Sequence, residues 1–324
     1  MRRSFLVVIA TVLLAGASGC ALVVTPPGAA PLRYRDAVFA NVTVTSDVVY
    51  GNAVDPQGKN VTLELDSYVP TGDTATNRPA IVWVHGGSFC CGDKTSPELV
   101  DEATTFAKEG YVNVSVNYRL STTGCTASGG GGSCIDAIVD ATQDAQAAVR
   151  FLRKNAKAYG IDSSRIAIGG SSAGAITALD VAYSDETVDS SGSNQGYSST
   201  VQAAMSLSGA ALYGSMDSTD APALDFHGTA DPLVPYAWAT STNQQALAKG
   251  LQSYLVTWDG DGHVPYLQHR DEILTMESNF LYWELDLAHA STPLTAAARH
   301  RAAGRIAIPS GTSTRSKGHA AAGS

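Results

Sequence analysis

The chain has 324 residues, of which 44% are hydrophobic and 16% are charged. This composition excludes an intrinsically disordered chain, because abundant apolar residues can form a core, and the length suits one large α/β domain or two smaller domains. The formal net charge of −9 argues against a protein that binds nucleic-acid phosphates.

The N-terminus is typical of an exported protein. Two arginines precede an apolar run, residues 5–14, which is too short to span a bilayer, and small residues follow it. We therefore predict a signal peptide over residues 1–20. The segment Ala17-Ser18-Gly19-Cys20 resembles a bacterial lipobox, in which a lipidated Cys20 attaches the protein to a membrane. Cleavage by ordinary signal peptidase is the alternative, so we expect either an envelope-anchored or a free extracellular protein.

Two further segments flank the main domain. Residues 21–42 contain three prolines and are predicted to be a linker. Residues 290–324 contain five lysines and arginines and no acidic residue, and we predict a disordered basic tail. We expect this tail to be a solvated extension, with contact to anionic envelope polymers as the alternative. One domain over residues 43–289 lies between these segments.

Strands alternate with helices along this domain. Alternating apolar and polar residues predict half-buried strands, continuous apolar runs predict strands buried on both faces, and apolar stripes at helical spacing predict helices. The predicted strands are residues 43–50, 60–69, 80–84, 112–117, 166–168, 203–207, 223–227 and 253–258, and the predicted helices are residues 135–159, 173–183, 237–249 and 265–288. This order predicts a mostly parallel sheet with helices on both faces.

Besides Cys20, the chain has four cysteines: Cys90, Cys91, Cys125 and Cys134. An even number in an exported chain is typical of disulfides, although adjacent cysteines rarely bond each other because the geometry is strained. Two cross-pairings of Cys90 and Cys91 with the other two therefore stay open, as does a single local Cys125–Cys134 bridge. We interpret these cysteines as structural. A zinc site is not expected, because a Cys-x-x-Cys pair and a nearby histidine are both lacking.

The sharpest chemical signal is Gly170-Ser171-Ser172-Ala173-Gly174, between a predicted strand and a predicted helix. This is the pattern of a nucleophile elbow, a strained turn whose small residues leave a serine Oγ exposed at the carboxyl edge of a sheet. The spacing of the two glycines predicts Ser172 as the nucleophile and leaves Ser171 out of register.

A second motif, His85-Gly86-Gly87-Ser88, ends another buried strand. Glycines at such a point let backbone N–H groups approach a developing oxyanion, and each such donor contributes about 10²–10³ in rate. We predict the N–H groups of Gly87 and Ser88 as donors, together with that of Ala173, rather than Gly86. We interpret His85 as a structural hydrogen-bonding residue.

The last two motifs supply an acid and a base. Asp231 follows the strand at 223–227, and a carboxylate there can orient a histidine and stabilise its imidazolium; Asp225, inside the strand, is the weaker candidate. His263 follows the last strand after a glycine-rich turn. We interpret His227 as a locally packed side chain. The turn is not expected to bind calcium, because Arg270 stands where a bidentate acid is needed.

The order Ser172, Asp231, His263 is that of α/β-hydrolases. Over about residues 43–288 the chain resembles the exported carboxylesterase/lipase branch of that superfamily, which has His-Gly-Gly-x and Gly-x-Ser-Ala-Gly motifs. The resemblance implies an α/β-hydrolase fold and a catalytic role for this domain. Two positions depart from the pattern: Ser88 replaces a third glycine, and Ser171 stands where Glu or Asp often precedes the nucleophile.

These motifs predict a serine carboxylesterase that forms an acyl-enzyme without metal or organic cofactor. The short intervals between Ser172, Asp231 and His263 leave little room for a lid domain, which favours short-acyl esters or esters carried by polysaccharides. We expect no nucleic-acid partner, and membrane attachment only through Cys20. A serine peptidase of the same fold and a non-catalytic envelope-binding protein are the alternatives. Serine peptidases of this fold usually carry a propeller or cap domain, and non-catalytic relatives generally lack the serine or the histidine.

Overall fold

The computed structural model describes residues 25–55, 57–125, 132–184 and 192–291. The predicted signal peptide with Cys20 and the predicted tail beyond residue 291 lie outside these ranges, so those two predictions stay predictions. No helix in the described ranges is both long and apolar enough to cross a membrane.

The elements alternate along the chain as the sequence analysis expects. The strands are β1 (Val42–Val54), β2 (Asn60–Pro70), β3 (Arg78–Val84), β4 (Val112–Val116), β5 (Ile161–Ser171), β6 (Ala203–Leu207), β7 (Ala223–Gly228) and β8 (Ser253–Trp258). The helices are α1 (Pro97–Glu109), α2 (Gly132–Lys154), α3 (Ala156–Tyr159), α4 (Ala173–Ala182), α5 (Tyr236–Ala248) and α6 (Tyr266–Glu284), followed by a short 3-10 helix, Leu287–His289.

The described strands form one sheet in the order β1-β2-β4-β3-β5-β6-β7-β8. β2 pairs antiparallel with β1 and with β4, and every pair from β4 through β3 to β8 is parallel. β3 and β4 are buried along their whole length; the continuous apolar run at residues 80–84 predicts this for β3, whereas β4 also buries Asn113 and Ser115. Because the strands are parallel, the carboxyl ends of β3, β5, β6, β7 and β8 meet at one edge of the sheet.

Two hydrophobic cores cover the two faces of the sheet. On one face, α1 and α6 pack through side chains such as Leu99, Phe106 and Phe280, and Trp83 of β3 lies 5.7 Å from Phe106 between ring centres. On the other face, α2, α4 and α5 contribute mainly alanine, valine and leucine. Burial of one large apolar side chain stabilises the fold by roughly 1.5–3 kcal/mol. The predicted α/β-hydrolase fold is therefore confirmed in its architecture.

The structure describes the whole connection from β6 to β7. The segment 208–222 leads from β6 to β7 without a helix. The motif-bearing edge of the sheet is therefore not covered by an inserted helical domain at this point.

Some elements differ from those expected. α1 was not predicted, because Glu102 and Glu109 interrupt its apolar stripe, yet both are buried here. β5 begins at Ile161 rather than at residue 166, because Ile161 pairs with Arg78 of β3. Within this earlier stretch Arg165 is buried, and its guanidinium is held by Asp162 and by the Leu285 carbonyl. A buried charge with such partners is invisible to an apolar pattern.

The structure decides between the cysteine pairings. Cys125 and Cys134 are bonded, with their Cα atoms 5.1 Å apart, which is the local bridge left open above. Cys90 and Cys91 are free thiols.

Candidate active site

Ser172 lies on a sharp turn between β5 and α4. Its backbone has φ of 53° and ψ of −119°, a conformation that L-residues rarely adopt. The flanking glycines are required by space: a Cβ at Gly170 would lie 2.5 Å from the Val84 carbonyl oxygen, and one at Gly174 would lie 1.9 Å from it. The Ser172 N–H donates to the Leu207 carbonyl of β6 at 2.9 Å. The turn is therefore clamped between β3 and β6, with the serine half-buried at the sheet edge.

The structure brings the three predicted side chains Ser172, His263 and Asp231 together. His263 Nε2 lies 2.7 Å from Ser172 Oγ, and His263 Nδ1 lies 2.7 Å from Asp231 Oδ2. These residues follow the ends of β5, β8 and β7, so the parallel sheet brings them to the same edge. The arrangement is that of a nucleophile, a base and an orienting acid.

Asp231 is held as a carboxylate. Its Oδ1 accepts hydrogen bonds from the N–H groups of Leu233 and Val234 at 2.8 and 3.0 Å, and its Oδ2 accepts from His263 and lies 3.3 Å from His227 Nε2. Burial opposes ionisation, but the bonds from the two histidines and the backbone outweigh it and hold the pKa of Asp231 well below its usual range.

His227 packs locally, as expected, and also supports the acid. Its Nε2 lies 2.9 Å from the Val234 carbonyl oxygen, which can only accept, so Nε2 carries a proton. The same Nε2 lies 3.3 Å from Asp231 Oδ2, and the ring is fully buried.

Asp225, the weaker acid candidate, does not reach His263. It lies inside β7 and is buried, and burial raises its pKa to about 7, although Ser206 and His227 act in the opposite direction. With this pKa, Asp225 is about half protonated near neutral pH, which makes it a poorer partner for an imidazolium than the ionised Asp231.

The loop that carries His263 is positioned by its neighbours. The N–H of Val264 donates to Ser208 Oγ at 3.0 Å, and the N–H of Ala230 donates to the Asp261 carbonyl at 2.9 Å. A Cβ at Gly228 would lie 2.3 Å from that Asp261 oxygen, so the loops after β7 and β8 touch through backbone. Ser208 was not singled out in the sequence, although its place at the end of β6 is a usable signal.

The loop after β3 lies directly beside the nucleophile. A Cβ at Gly86 would be 3.1 Å from Ser172 Cβ, and Gly87, Ser88 and Phe89 have φ of 115°, 52° and 62°. The Gly87 carbonyl accepts the N–H groups of Cys90 and Cys91 at 3.1 and 3.0 Å. These positive φ angles fold the loop back on itself next to Ser172.

Two of the N–H groups predicted as oxyanion donors, those of Ser88 and Ala173, can be described by their surroundings. The Ser88 N–H belongs to the same rigid, trans peptide as the Gly87 carbonyl, so it points away from the two cysteine N–H groups that this carbonyl faces. Ala173 is the first residue of α4, where an N–H has no acceptor within the helix.

His85 has a structural environment, as expected. Its Nδ1 lies 2.6 Å from the Gly86 carbonyl, and its ring stacks on Tyr118 with centres 4.4 Å apart. Burial lowers the pKa of His85, although the Gly86 carbonyl acts against this. The ring is therefore neutral at neutral pH.

One contact at the elbow could not be read from the sequence. Ser171 Oγ donates to Glu98 Oε1 at 2.8 Å, across from the first turn of α1. A carboxylate therefore does stand beside the elbow, but it comes from another helix. Within the described ranges, no group of three or more His, Cys, Asp or Glu side chains is arranged to hold a metal ion.

Comparisons with family models agree with this fold. A family model described as BD-FAE matches residues 65–214, and one described as TAP-like protein matches residues 197–281. The two matches overlap in the segment between α4 and β7, and together they span residues 65–281, which contain Ser172, Asp231, His263 and the His85-Gly86-Gly87-Ser88 motif.

Curated relatives match over a shorter region. Phenmedipham hydrolase of Pseudarthrobacter oxydans is 34% identical over 128 residues, which are 39% of this chain and 24% of that protein. Acetylcholinesterase of Gallus gallus is 34% identical over 113 residues, 35% of this chain and 14% of that protein. The chain thus spans about a quarter or less of the length of these relatives.

Solved structures match more completely. The native structure of Thermogutta terrifontis esterase 2 has a TM-score of 0.62 and 22% identity, covering 78% of this chain and 95% of that one. Its butyrate-bound structure has a TM-score of 0.61 and 21% identity, covering 71% and 92%. At this identity the likeness establishes the fold, which is that of the α/β-hydrolases.

Proposed function

We propose that this protein is a serine carboxylesterase with Ser172 as nucleophile, His263 as general base and Asp231 as orienting acid. The observation that carries the proposal is the unbroken hydrogen-bonded chain from Ser172 Oγ through His263 to the buried Asp231 carboxylate. The names of the relatives, which include hydrolases and esterases of several organisms, support the same class of reaction.

The protonation states follow from the acid. Because the pKa of Asp231 is held low, its oxygens only accept hydrogen bonds near neutral pH. His263 Nδ1 therefore carries the proton of the bond to Asp231, and Nε2 presents a lone pair to Ser172 Oγ. This is the tautomer that a general base needs.

The reaction then runs in two halves. Ser172 Oγ attacks the ester carbonyl carbon while His263 takes its proton, and the proton passes to the departing alcohol as the acyl-enzyme forms. In the second half a water molecule loses a proton to His263 and attacks the acyl carbon, and Ser172 recovers its proton as the acid leaves. The N–H groups of Gly87, Ser88 and Ala173 stabilise the oxyanion in both halves.

The proposed substrates are esters with short acyl groups, free or attached to a polysaccharide. The lid-free path from β6 to β7 leaves this side of the site open to a bulky alcohol portion. The butyrate-bound and propionate-bound structures of Thermogutta terrifontis esterase 2 support a small acyl group.

We also propose export to the cell envelope or beyond it. The Cys125–Cys134 bridge supports an oxidising compartment, since such bonds are rare in reducing ones. Mass spectrometry of the mature N-terminus tests whether the signal peptide is removed and whether Cys20 is lipidated.

The test is hydrolysis of p-nitrophenyl esters from acetate to palmitate by the full chain. Ser172→Ala should lower kcat by at least about 10³-fold, while Ser218→Ala, at an exposed serine after β6, should not change it. Full activity in Ser172→Ala, or no activity in folded protein on any chain length, would refute the proposal. Preference for acyl chains above about ten carbons would refute the substrate class, and cleavage of an aminoacyl anilide in place of esters would indicate a peptidase.

A further inference from the structure

Two free thiols stand side by side in the loop beside the nucleophile. The Sγ atoms of Cys90 and Cys91 are 3.1 Å apart. Cys91 is exposed to solvent and Cys90 is half-buried. Cys90 also lies next to Gly124, the residue before the disulfide-bonded Cys125, because a Cβ at Gly124 would be 3.0 Å from Cys90 Sγ.

These two residues hold the peptide that bears a proposed oxyanion donor. The Gly87 carbonyl accepts the N–H groups of Cys90 and Cys91, and Cys90 Sγ lies 3.6 Å from the same oxygen. The Cys91 carbonyl packs onto Gly87 so closely that a Cβ there would be 2.0 Å away. Because the Gly87 carbonyl and the Ser88 N–H share one rigid peptide plane, this grip sets the direction of the Ser88 N–H.

We propose that Cys90 and Cys91 form a dithiol site, which reacts with small-molecule disulfides and closes to a vicinal disulfide that turns the Ser88 N–H away from the oxyanion. The link to catalysis rests on the proposed function. The sequence-based interpretation of the cysteines as structural is thereby kept for Cys125 and Cys134 and revised for the other two.

The chemistry is thiol–disulfide exchange in two steps. The exposed Cys91 attacks as its thiolate one sulfur of a disulfide RSSR, forming a Cys91–SR mixed disulfide and releasing RS⁻. Cys90, deprotonated, then attacks Cys91 Sγ and expels the second RS⁻. Two thiols are oxidised, one disulfide is reduced to two thiols, and the two protons go to the leaving thiolates. The second step is intramolecular, and the 3.1 Å separation places the Cys90 sulfur within reach of Cys91 Sγ.

Closure must disturb the loop because the residues are adjacent. Consecutive Cα atoms are about 3.8 Å apart across a trans peptide, whereas disulfides usually join Cα atoms 4.4–6.8 Å apart. The peptide between Cys90 and Cys91 therefore has to rotate, which breaks the Cys91 N–H bond to the Gly87 carbonyl. The strain also makes the vicinal disulfide easy to reduce.

The first measurement determines the oxidation state of Cys90 and Cys91 and does not depend on enzymatic activity. The full chain is incubated with oxidised glutathione, free thiols are alkylated, and trypsin releases residues 60–94, which contain no cysteine besides this pair. We expect this peptide to lose two hydrogens and to escape alkylation, and dithiothreitol to reverse the change. In Cys90→Ser we expect a stable glutathione adduct at Cys91 instead. A mixed disulfide alone in the wild-type chain, or no reaction, would overturn the site.

The second measurement tests the link to the oxyanion. Closure in the wild-type chain should lower kcat on p-nitrophenyl acetate by roughly tenfold or more, a partial loss of one donor, with KM changed less than about twofold. The double variant Cys90→Ser/Cys91→Ser should keep the same kcat before and after oxidised glutathione. The wild-type comparison needs no variant, so a folding defect in the double variant leaves the test intact.

The two proposals can fail separately. Closure of the pair with unchanged kcat would overturn the link to the oxyanion but leave the esterase intact. Ester hydrolysis together with an unreactive pair would overturn the dithiol site alone. Closure of the pair in a chain that hydrolyses no ester in either redox state would overturn the esterase and the catalytic link, while the peptide mass would still establish the dithiol site.

Discussion

Folding stability should fall as the pH rises because of one buried acid, Glu109. This residue ends α1 and is 5% exposed, and its Oε1 accepts a hydrogen bond from Ser278 of α6 at 2.9 Å. Burial raises its pKa from 4.5 to about 8, and the bond from Ser278 and the charge of Arg35 oppose that rise while Asp36 reinforces it.

The sign follows from where the proton is bound. Between pH 4.5 and about 8 the folded chain keeps the Glu109 proton and the unfolded chain releases it. The contribution of Glu109 to the free energy of unfolding is therefore fully present below the pKa of the unfolded chain, and it is lost as the pH rises through the pKa of the folded chain. Each pH unit in this window costs about 1.4 kcal/mol, so this one side chain removes roughly 4 kcal/mol between pH 5 and pH 8.

The perturbation is Glu109→Gln, which keeps an acceptor for Ser278 and removes the titration. Urea unfolding at pH 5, 6, 7 and 8, followed by tryptophan fluorescence, gives the free energy of unfolding of both proteins. We expect the difference in free energy of unfolding, variant minus wild type, to rise by roughly 4 kcal/mol from pH 5 to pH 8. The control Asp271→Asn lies on α6 with its side chain 94% exposed and should differ by less than about 0.5 kcal/mol. Parallel pH curves for Glu109→Gln and wild type would refute the reasoning.

Three further predictions concern the site. Asp231→Asn should lower kcat on p-nitrophenyl acetate by about 10³–10⁴-fold because His263 loses the acceptor that sets its tautomer, and a loss below tenfold would contradict this. Glu98→Ala should lower the free energy of unfolding in urea by about 1–3 kcal/mol, since buried Ser171 loses its acceptor, while Glu98→Gln should cost less; equal effects would speak against that hydrogen bond. Ser208→Ala should lower kcat by about tenfold with a smaller change in KM, because the N–H that follows His263 loses its acceptor; steady-state kinetics that show only a higher KM would contradict it.

Much of the fold could be predicted from local sequence. Apolar runs, alternating valines, helical stripes and glycines at helix ends are properties of neighbouring residues, so they identify β3, β4, α2 and α4 without tertiary information. α1 escaped because two of its inward positions are Glu102 and Glu109. These carboxyl groups are buried because α6 packs over them, and no sequence pattern within α1 predicts the contact with α6.

By itself, the sequence determined which residues stand at the strand ends: the glycines that allow the turn at Ser172, the loop that bears Asp231 and the turn before His263. Backbone space and turn chemistry act over a few residues, so motif spacing carries them. Only the tertiary structure decided the 2.7 Å contacts that join these three side chains, since the register of β5 through β8 brings together groups far apart in the chain.

The same holds for the contacts that no motif foretold. Glu98 reaches Ser171 from α1, and the thiols of Cys90 and Cys91 meet in a loop whose positive φ angles fold it back onto Gly87. Side-chain identity limits what such groups can do, but their distances depend on how helices and loops pack around the sheet. That packing balances burial against hydrogen bonding over the whole domain, which is why it could not be read from any single segment.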